Sequence, residues 1–319
     1  MIAFIFPGQG SQQVGMGRAL AEAFPEAQRV FADADAAFAS EASSPRSLST
    51  LCFEGPEAEL MLTEITQPAI LTASIAACRV LEARGIRPSF VAGHSLGEYS
   101  AHVAAGTIGF GDAVRLVRRR GRYMQEAVPV GVGAMAAILG AELDVVQRAC
   151  DEAAQGEVVS PANINAPGQI VIAGHAAAVQ RASERARALG AKRAIPLSVS
   201  APFHCALMAP AEARLEPELR DLLAASPLVP VVANVDAQPK REAWAAIDAL
   251  VRQVSAPVRW ADVVQRLASE GITTYVEVGP GAVLSGLVRK IHKDARVVQF
   301  GSPDDLGTIV AACSTSAEN

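Results

Sequence analysis

Short apolar runs alternate along the chain with longer segments that have the periodicity of amphipathic helices. The first run, IAFIF, is followed by a helix-like segment over 15–39, and the run over 89–93 is followed by another over 98–105. Strands that alternate with helices are typical of α/β proteins, in which the strands form a mainly parallel sheet. The same kind of run returns late in the chain as VPVVANV and TYVEVGPG. The pattern therefore predicts an α/β fold.

The middle of the chain has a different order of elements. Its strand-like runs GAMAAILG, EVVSPANIN, QIVIAG and KRAIPLS are combined with helix-like segments over 142–154 and 176–189. The resulting order β-α-β-β-α-β is that of a ferredoxin-like unit. We therefore expect a large α/β subdomain formed by 1–129 and 199–319, with a small ferredoxin-like subdomain over 130–198 inserted into it.

Composition narrows the functional classes. The 319 residues are 50% hydrophobic and carry a net charge of −5, so the overall charge gives no reason to expect a nucleic-acid partner. No apolar run approaches the ~18 residues of a membrane span, and the first residues lack the basic region of a signal peptide. The five cysteines are scattered without a C-x-x-C pair, which indicates reduced thiols rather than disulfides or a zinc site. We expect a cytoplasmic protein without a bound metal and without membrane contact.

The pentapeptide Gly93-His94-Ser95-Leu96-Gly97 follows an apolar run and precedes a helix-like segment. This G-x-S-x-G pattern can place a serine hydroxyl on a sharp turn between strand and helix. The helix that follows the serine supplies free N–H groups and the positive end of its dipole. An ordinary strand-to-helix turn also uses small residues, so the pentapeptide alone leaves two interpretations: a nucleophilic serine or a structural turn.

A second glycine cluster, PGQGSQ, follows the first strand-like run. A dinucleotide-binding fingerprint would need a third glycine at position 13, where the sequence has Gln13. Two interpretations remain: a turn that uses glycine for backbone reasons, or a loop whose N–H groups face an oxyanion.

A nucleophilic serine needs a base. The histidines of the chain are His94, His102, His175, His204 and His292. His94 is adjacent to the serine and His102 is carried away from the turn along the helix, while the spacing around His175 and His292 is typical of a turn residue and a solvated helix end. His204 lies in a loop after the small subdomain, where Pro202 restrains the backbone. By elimination, His204 is the best candidate for the base.

The segment DAVRLVRRRGRYMQ contains five arginines. On a helical wheel of about 100° per residue, four of them occupy one polar side, while Arg120 falls on the apolar side between Leu116 and Met124. The pattern predicts that Arg115, Arg118, Arg119 and Arg122 face water. A buried guanidinium needs an anion. The partner of Arg120 is either a structural carboxylate or a substrate carboxylate.

Six segments together resemble one enzyme family. FPGQGSQ, GHSLGEYSA, RRGRYMQ, NINAPGQIVIAG, APFHCALM and VEVGPGAVL occur in the order found in malonyl-CoA:acyl carrier protein transacylases, and they span nearly the whole chain. The resemblance implies an α/β-hydrolase-like large subdomain with an inserted ferredoxin-like small one. It also implies a free-standing malonyltransferase of fatty-acid or polyketide synthesis, which needs no cofactor and which we expect to be a monomer.

The resemblance implies roles for individual residues. Ser95 is the nucleophile and His204 its base. The backbone N–H groups of Gln9 and Leu96 form the oxyanion hole. The backbone carbonyl of Gln253 orients the histidine.

Three further residues are expected to bind the substrate. Arg120 holds the malonyl carboxylate, and Met124 lies near it on the apolar side of the same helix. In related polyketide acyltransferases, a bulky residue at the position of Phe203 accompanies selection of malonyl over methylmalonyl groups.

The implied reaction is ping-pong: malonyl passes from malonyl-CoA to the serine, and then to the phosphopantetheine thiol of acyl carrier protein. An alternative is an acyl hydrolase on the same scaffold, which releases the acyl group to water. A non-catalytic interaction module would have lost the serine, the histidine or the arginine, and all three are present. Two basic groups, Arg118 with Arg119 and Arg122, and Lys192 with Arg193, are either docking candidates for the acidic carrier or ordinary solvated charges.

Overall fold

The computed structural model describes residues 1–41 and 46–314, so the end of the predicted large subdomain, 315–319, lies outside the described residues. The described chain contains ten β-strands. They are β1 (Ile2–Phe6), β2 (Phe90–Gly93), β3 (Gly133–Leu139), β4 (Val159–Ala166), β5 (Gln169–His175), β6 (Arg193–Pro196), β7 (Val231–Val232), β8 (Pro239–Lys240), β9 (Thr274–Val278) and β10 (Arg296–Phe300).

Fourteen α-helices accompany the strands in the same described ranges. They are α1 (Arg18–Ala23), α2 (Pro25–Ala39), α3 (Leu48–Glu54), α4 (Glu57–Leu60), α5 (Thr63–Ala83), α6 (Leu96–Ala104), α7 (Phe110–Glu126), α8 (Leu143–Ala154), α9 (Ala176–Ala188), α10 (Ala209–Arg220), α11 (Ala243–Gln253), α12 (Trp260–Ser269), α13 (Val283–Ile291) and α14 (Leu306–Ser314). Throughout the described ranges, no helix is both long enough and apolar enough to cross a bilayer.

The large sheet has six strands in the order β10-β9-β1-β2-β7-β8. All neighbouring pairs are parallel except β7 with β8. The central strands are apolar throughout, as expected where helices cover both faces of a parallel sheet. Because β1 and β2 are adjacent and parallel, the loops that follow Phe6 and Gly93 emerge side by side at one edge of the sheet.

The small sheet has four antiparallel strands in the order β4-β5-β3-β6. With its helices α8 and α9 it has the topology of a ferredoxin-like unit. Together with the large sheet it confirms the predicted fold class, and its elements lie within 133–196, inside the segment that the sequence assigns to the small subdomain.

Alternate residues of β5 join two different cores. Ile170 and Ile172 pack in the core of the small subdomain, whereas Val171 and Ala173 belong to the main core. This follows from the two-residue periodicity of a strand, which sends neighbouring side chains to opposite faces. The small sheet is therefore covered by its own helices on one face and by the large subdomain on the other. A cleft between the two subdomains results.

The largest differences in extent between predicted and observed elements concern one helix-like segment and one strand. The helix-like segment over 15–39 forms two helices, because Phe24 is extended (φ −133°) and Pro25 begins α2. A residue before proline is disfavoured in the helical conformation. The strand predicted from VPVVANV is only Val231–Val232, and the chain turns away after it.

Candidate active site

Ser95 stands on a strained turn between β2 and α6. Its φ of 52° and ψ of −106° are uncommon for a residue that carries a Cβ. The flanking glycines make the turn possible: a Cβ on Gly97 would lie 2.0 Å from the carbonyl oxygen of Phe6, and one on Gly93 would lie 2.0 Å from the carbonyl of Gly97. The G-x-S-x-G pattern thus forms a tight elbow that presents the serine.

His204 is the histidine that reaches this serine. The Ser95 Oγ and His204 Nε2 atoms are 2.7 Å apart, and His204 Nδ1 is 3.0 Å from the backbone oxygen of Gln253. Since a carbonyl only accepts, Nδ1 carries the proton and Nε2 is free to accept one. Burial, followed by the positive charge of Arg120, lowers the pKa of His204 to about 3. The imidazole is therefore neutral and suited to act as a base.

Arg120 is buried beside the pair, as the helical wheel predicts. Its Nη1 donates to Gln67 Oε1 (2.8 Å), and its Nη2 donates to Gln253 Oε1 (2.9 Å) and to Ser95 Oγ (3.1 Å). The guanidinium carbon also lies 5.2 Å from the ring centroid of Tyr99. Burial lowers the pKa of Arg120. Its hydrogen-bond acceptors are neutral, so within the described ranges the guanidinium has no carboxylate in direct contact.

The other four arginines of α7 do not all face water, and that prediction is wrong in part. Arg122 is exposed, but Arg118 lies with its guanidinium 4.4 Å from the ring centroid of Phe38. Arg119 is half-buried and forms salt bridges with Glu41 and, at 3.1 Å, with Glu218. Helices α2 and α10 pack against α7 and cover this side of it. A helical wheel describes an isolated helix and takes no account of such packing.

The two predicted oxyanion donors lie shortly after the neighbouring strands β1 and β2. Leu96 is the first residue of α6, where an N–H has no acceptor within its own helix. Gln9 lines the same cavity as Ser95. The loops pack closely, since a Cβ on Gly8 would lie 2.4 Å from the carbonyl oxygen of His94. Among the described residues, neither N–H has a hydrogen-bond acceptor.

A cavity of about 220 Å³ opens above the serine, between the subdomains. Phe203 and Met124 supply apolar walls on the side of the large subdomain. Met135 and Asn163 line the cavity on the side of the small subdomain. The cavity therefore combines an apolar lining with a serine, a neutral histidine and a guanidinium, which suits a short acyl group that ends in a carboxylate.

Sequence reasoning missed three polar residues of the site. Gln67 accepts from Arg120, and the Asn234 side chain bonds both to the N–H of Ser95 (2.8 Å) and to the carbonyl of Gly93 (2.7 Å). Glu98, fully buried on α6, bonds to the side chain of Gln253 (2.9 Å). A polar amide within the apolar run of α5 was an available signal for Gln67; nothing local marks the other two.

The remaining histidines have other surroundings. His94 lines the cavity, but its Nε2 is 2.8 Å from Asn165 Oδ1. His175 accepts the backbone N–H of Val158, and His292 contacts the hydroxyl of Tyr275. His102 is buried in α6, and neither of its ring nitrogens has a hydrogen-bond partner among the described residues.

The fold and the site together define an α/β enzyme with a serine–histidine pair. A family model described as "Acyl transferase domain" matches residues 3–307, and the chain belongs to this acyl transferase family. It is 52% identical to the malonyl CoA-acyl carrier protein transacylase of Escherichia coli over 290 residues, 91% of this chain and 92% of the relative.

Solved structures show the same similarity. An acyl carrier protein S-malonyltransferase from Vibrio cholerae has a TM-score of 0.93 and 46% identity, covering 97% of this chain and 99% of that one. A malonyl-transacylase solved in complex with the acyl-carrier protein of a type II polyketide synthase also has a TM-score of 0.93 and 46% identity, covering 98% and 99% of the two chains.

Proposed function

We propose that this protein transfers malonyl groups from malonyl-CoA to the phosphopantetheine thiol of acyl carrier protein, through a malonyl ester of Ser95. The observation that carries the proposal is the guanidinium of Arg120, which is buried and 3.1 Å from Ser95 Oγ, with neutral hydrogen-bond acceptors around it. A carboxylated acyl group on the serine would supply the missing negative charge. The similarity to malonyltransferases over more than 90% of the chain supports the same substrate.

The first half-reaction forms the ester. Arg120 holds the malonyl carboxylate, and the Ser95 oxygen attacks the thioester carbon while His204 Nε2 takes the hydroxyl proton. The N–H groups of Gln9 and Leu96 stabilise the negative charge of the tetrahedral intermediate. When the carbon–sulfur bond breaks, the imidazolium gives its proton to the departing sulfur and CoA leaves as a thiol.

The second half-reaction repeats these steps with a different nucleophile. His204 takes the proton of the carrier's thiol, the sulfur attacks the ester carbon, and the proton returns to Ser95 as the carbon–oxygen bond breaks. Because the cavity lies between the subdomains, we expect the ester to be shielded from water. The carboxylate stays on Arg120 throughout.

The proposal includes no metal and no redox cofactor, since each step moves only an acyl group and a proton. We expect a monomer, because all the proposed catalytic groups come from one chain. We expect a cytoplasmic location, because the five cysteines are free thiols. Malonyl-CoA and acyl carrier protein are the partners. Nucleic acid and membrane have no part in the proposed cycle.

Intact-protein mass spectrometry tests this function. Malonyl-CoA alone should add one malonyl group to the wild-type chain, and the adduct should be absent from Ser95→Ala but present in Ser269→Ala, a matched change at an exposed serine. Addition of holo acyl carrier protein should then move the malonyl mass to the carrier. Release of free malonate without malonyl carrier would instead identify an acyl hydrolase, and an adduct on Ser95→Ala would exclude the serine as nucleophile.

A further inference from the structure

Two amide side chains hold the peptide groups on both sides of Ser95. Asn234 accepts from the Ser95 N–H through its Oδ1 (2.8 Å) and donates from its Nδ2 to the Gly93 carbonyl (2.7 Å). Gln253 donates from its Nε2 to the Ser95 carbonyl (2.8 Å). These residues are 139 and 158 positions away from the serine in sequence. The elbow is therefore fixed by tertiary contacts and not only by its glycines.

One oxygen of Glu98 accepts hydrogen bonds from both Asn234 and Gln253. Glu98 lies in the first turn of α6 and is fully buried. Its Oε2 accepts from Gln253 Nε2 (2.9 Å) and from the backbone N–H of Asn234 (3.1 Å). The same Gln253 supplies the carbonyl that binds His204 Nδ1. A single carboxylate therefore contacts both supports of the elbow, and one of these, Gln253, also orients the histidine.

We propose that Glu98 is a positioning residue for the acyl transfer reaction, which acts on Ser95 and His204 through Asn234 and Gln253. The inference rests on the proposed function of Ser95. A strained backbone persists only when its surroundings over-determine it. Without an acceptor at Glu98, the Gln253 amide and the Asn234 backbone each lose one bond, so the hydroxyl and the imidazole no longer share a fixed geometry.

The role depends on an accepting oxygen and not on a fixed charge. Burial raises the pKa of the Glu98 carboxyl group to about 7, and the hydrogen bonds from Gln253 and Asn234 oppose this shift. The negative charge of Asp236 also raises this pKa, and the positive charge of Arg120 lowers it. The protonated acid keeps a carbonyl oxygen that accepts hydrogen bonds, as does the amide of glutamine. Glu98→Gln should therefore preserve the arrangement, whereas Glu98→Met fills a similar volume without an accepting oxygen.

Single-turnover acylation by malonyl-CoA, followed by mass spectrometry, tests the inference. In Glu98→Met the rate constant at saturating malonyl-CoA should fall by about 100-fold, the scale expected for a misplacement near 1 Å. The final amplitude should equal that of the wild type, because the Oγ nucleophile is still present. In Glu98→Gln the rate should recover to within about tenfold of the wild type. Loss of folded protein would lower the amplitude instead.

Glu277→Met is the matched control. Glu277 is also a fully buried carboxylate, and it accepts the backbone N–H groups of Leu284 (3.0 Å) and Ser285 (2.6 Å). These bonds anchor the start of α13, which does not line the cavity. Its acylation rate should stay at the wild-type value. If Glu98→Met does not fold by circular dichroism, Glu98→Asp, whose shorter side chain cannot reach both donors, should show the same slow rate.

Three results would overturn the positioning role: a wild-type rate in Glu98→Met, a Glu98→Gln rate as low as that of Glu98→Met, or an equal loss in Glu277→Met. Failure of the proposed function has a different signature, since the wild-type chain itself would then form no adduct on Ser95.

Discussion

The Nη2 atom of Arg120 lies 3.1 Å from the Oγ atom of Ser95. A buried cation on α7 and a candidate nucleophile on the turn before α6 are thus direct neighbours. A carboxylate two carbons away from an acyl carbon on Ser95 would lie within reach of this guanidinium. The distance therefore links the choice of acyl group to the chemistry of its transfer.

Arg120→Ala should lower kcat/KM for acylation by malonyl-CoA by about 100-fold or more, since loss of one partner of a buried charge pair costs several kcal/mol. The kcat/KM for acylation by acetyl-CoA, which has no carboxylate, should fall much less. Arg120→Lys should also be poor, because an ammonium does not reproduce the planar two-point contact.

The matched control for Arg120 is Arg122→Ala, at an exposed position on the same helix, which should leave acylation unchanged. An Arg120→Ala protein that kept its preference for malonyl over acetyl would show that the guanidinium has only a structural role.

The rate of acylation should be maintained at mildly acidic pH. His204 acts as a base only when neutral, and burial together with Arg120 lowers its pKa to about 3 from an ordinary 6.5. The single-turnover rate should therefore stay near its plateau at pH 5.5, where a histidine of ordinary pKa would be about 90% protonated and the rate about tenfold lower. A wild-type rate that halves near pH 6.5 and is about tenfold lower at pH 5.5 would contradict the depressed pKa.

His204→Ala should slow acylation by about 100-fold or more, measured in the same single-turnover assay, because the serine hydroxyl then has no base.

Phe203 should restrict branched acyl groups. Its ring lines the cavity beside His204, so we expect it to crowd a methyl substituent at C2 of the acyl group. One methyl group is usually discriminated by about 1–3 kcal/mol. Phe203→Leu should raise the ratio of methylmalonyl to malonyl acylation by about fivefold or more, measured by competition between the two thioesters.

Phe53→Leu, which changes a partly buried phenylalanine away from the cavity, is the control for Phe203→Leu and should not alter the ratio of the two acyl groups. Equal loading of both thioesters by the wild-type chain would refute the specificity role of Phe203.

Gly97→Ala should damage the elbow. The new Cβ would lie 2.0 Å from the Phe6 carbonyl, so the backbone must move. We expect a loss of about 1–3 kcal/mol in the free energy of unfolding, measured by urea denaturation, together with slower acylation. Gly286→Ala in α13 is the control, because nothing lies within 4 Å of its Cβ and alanine favours a helix. If both variants retained wild-type stability and acylation, close packing at Gly97 would have no consequence.

Features that depend on local pattern could be predicted from the sequence. The alternation of strands and helices is visible because a strand repeats every two residues and a helix every 3.6 residues. The same periodicity placed Arg120 on the buried side of α7, and the glycines around Ser95 predicted a tight turn between strand and helix. Each of these inferences uses only residues that are close together in the chain.

Contacts between residues that are distant in sequence became known only from the folded chain. Asn234 and the side chain of Gln253 support Ser95 from segments more than 130 residues away, and no local pattern encodes such contacts. Arg119 is half-buried because α2 and α10 pack on α7. The sequence of α7 alone does not reveal this packing. Glu98 reads as an ordinary charge in the first turn of a helix, and only the packing of the chain around it removes water and makes its carboxylate part of the site.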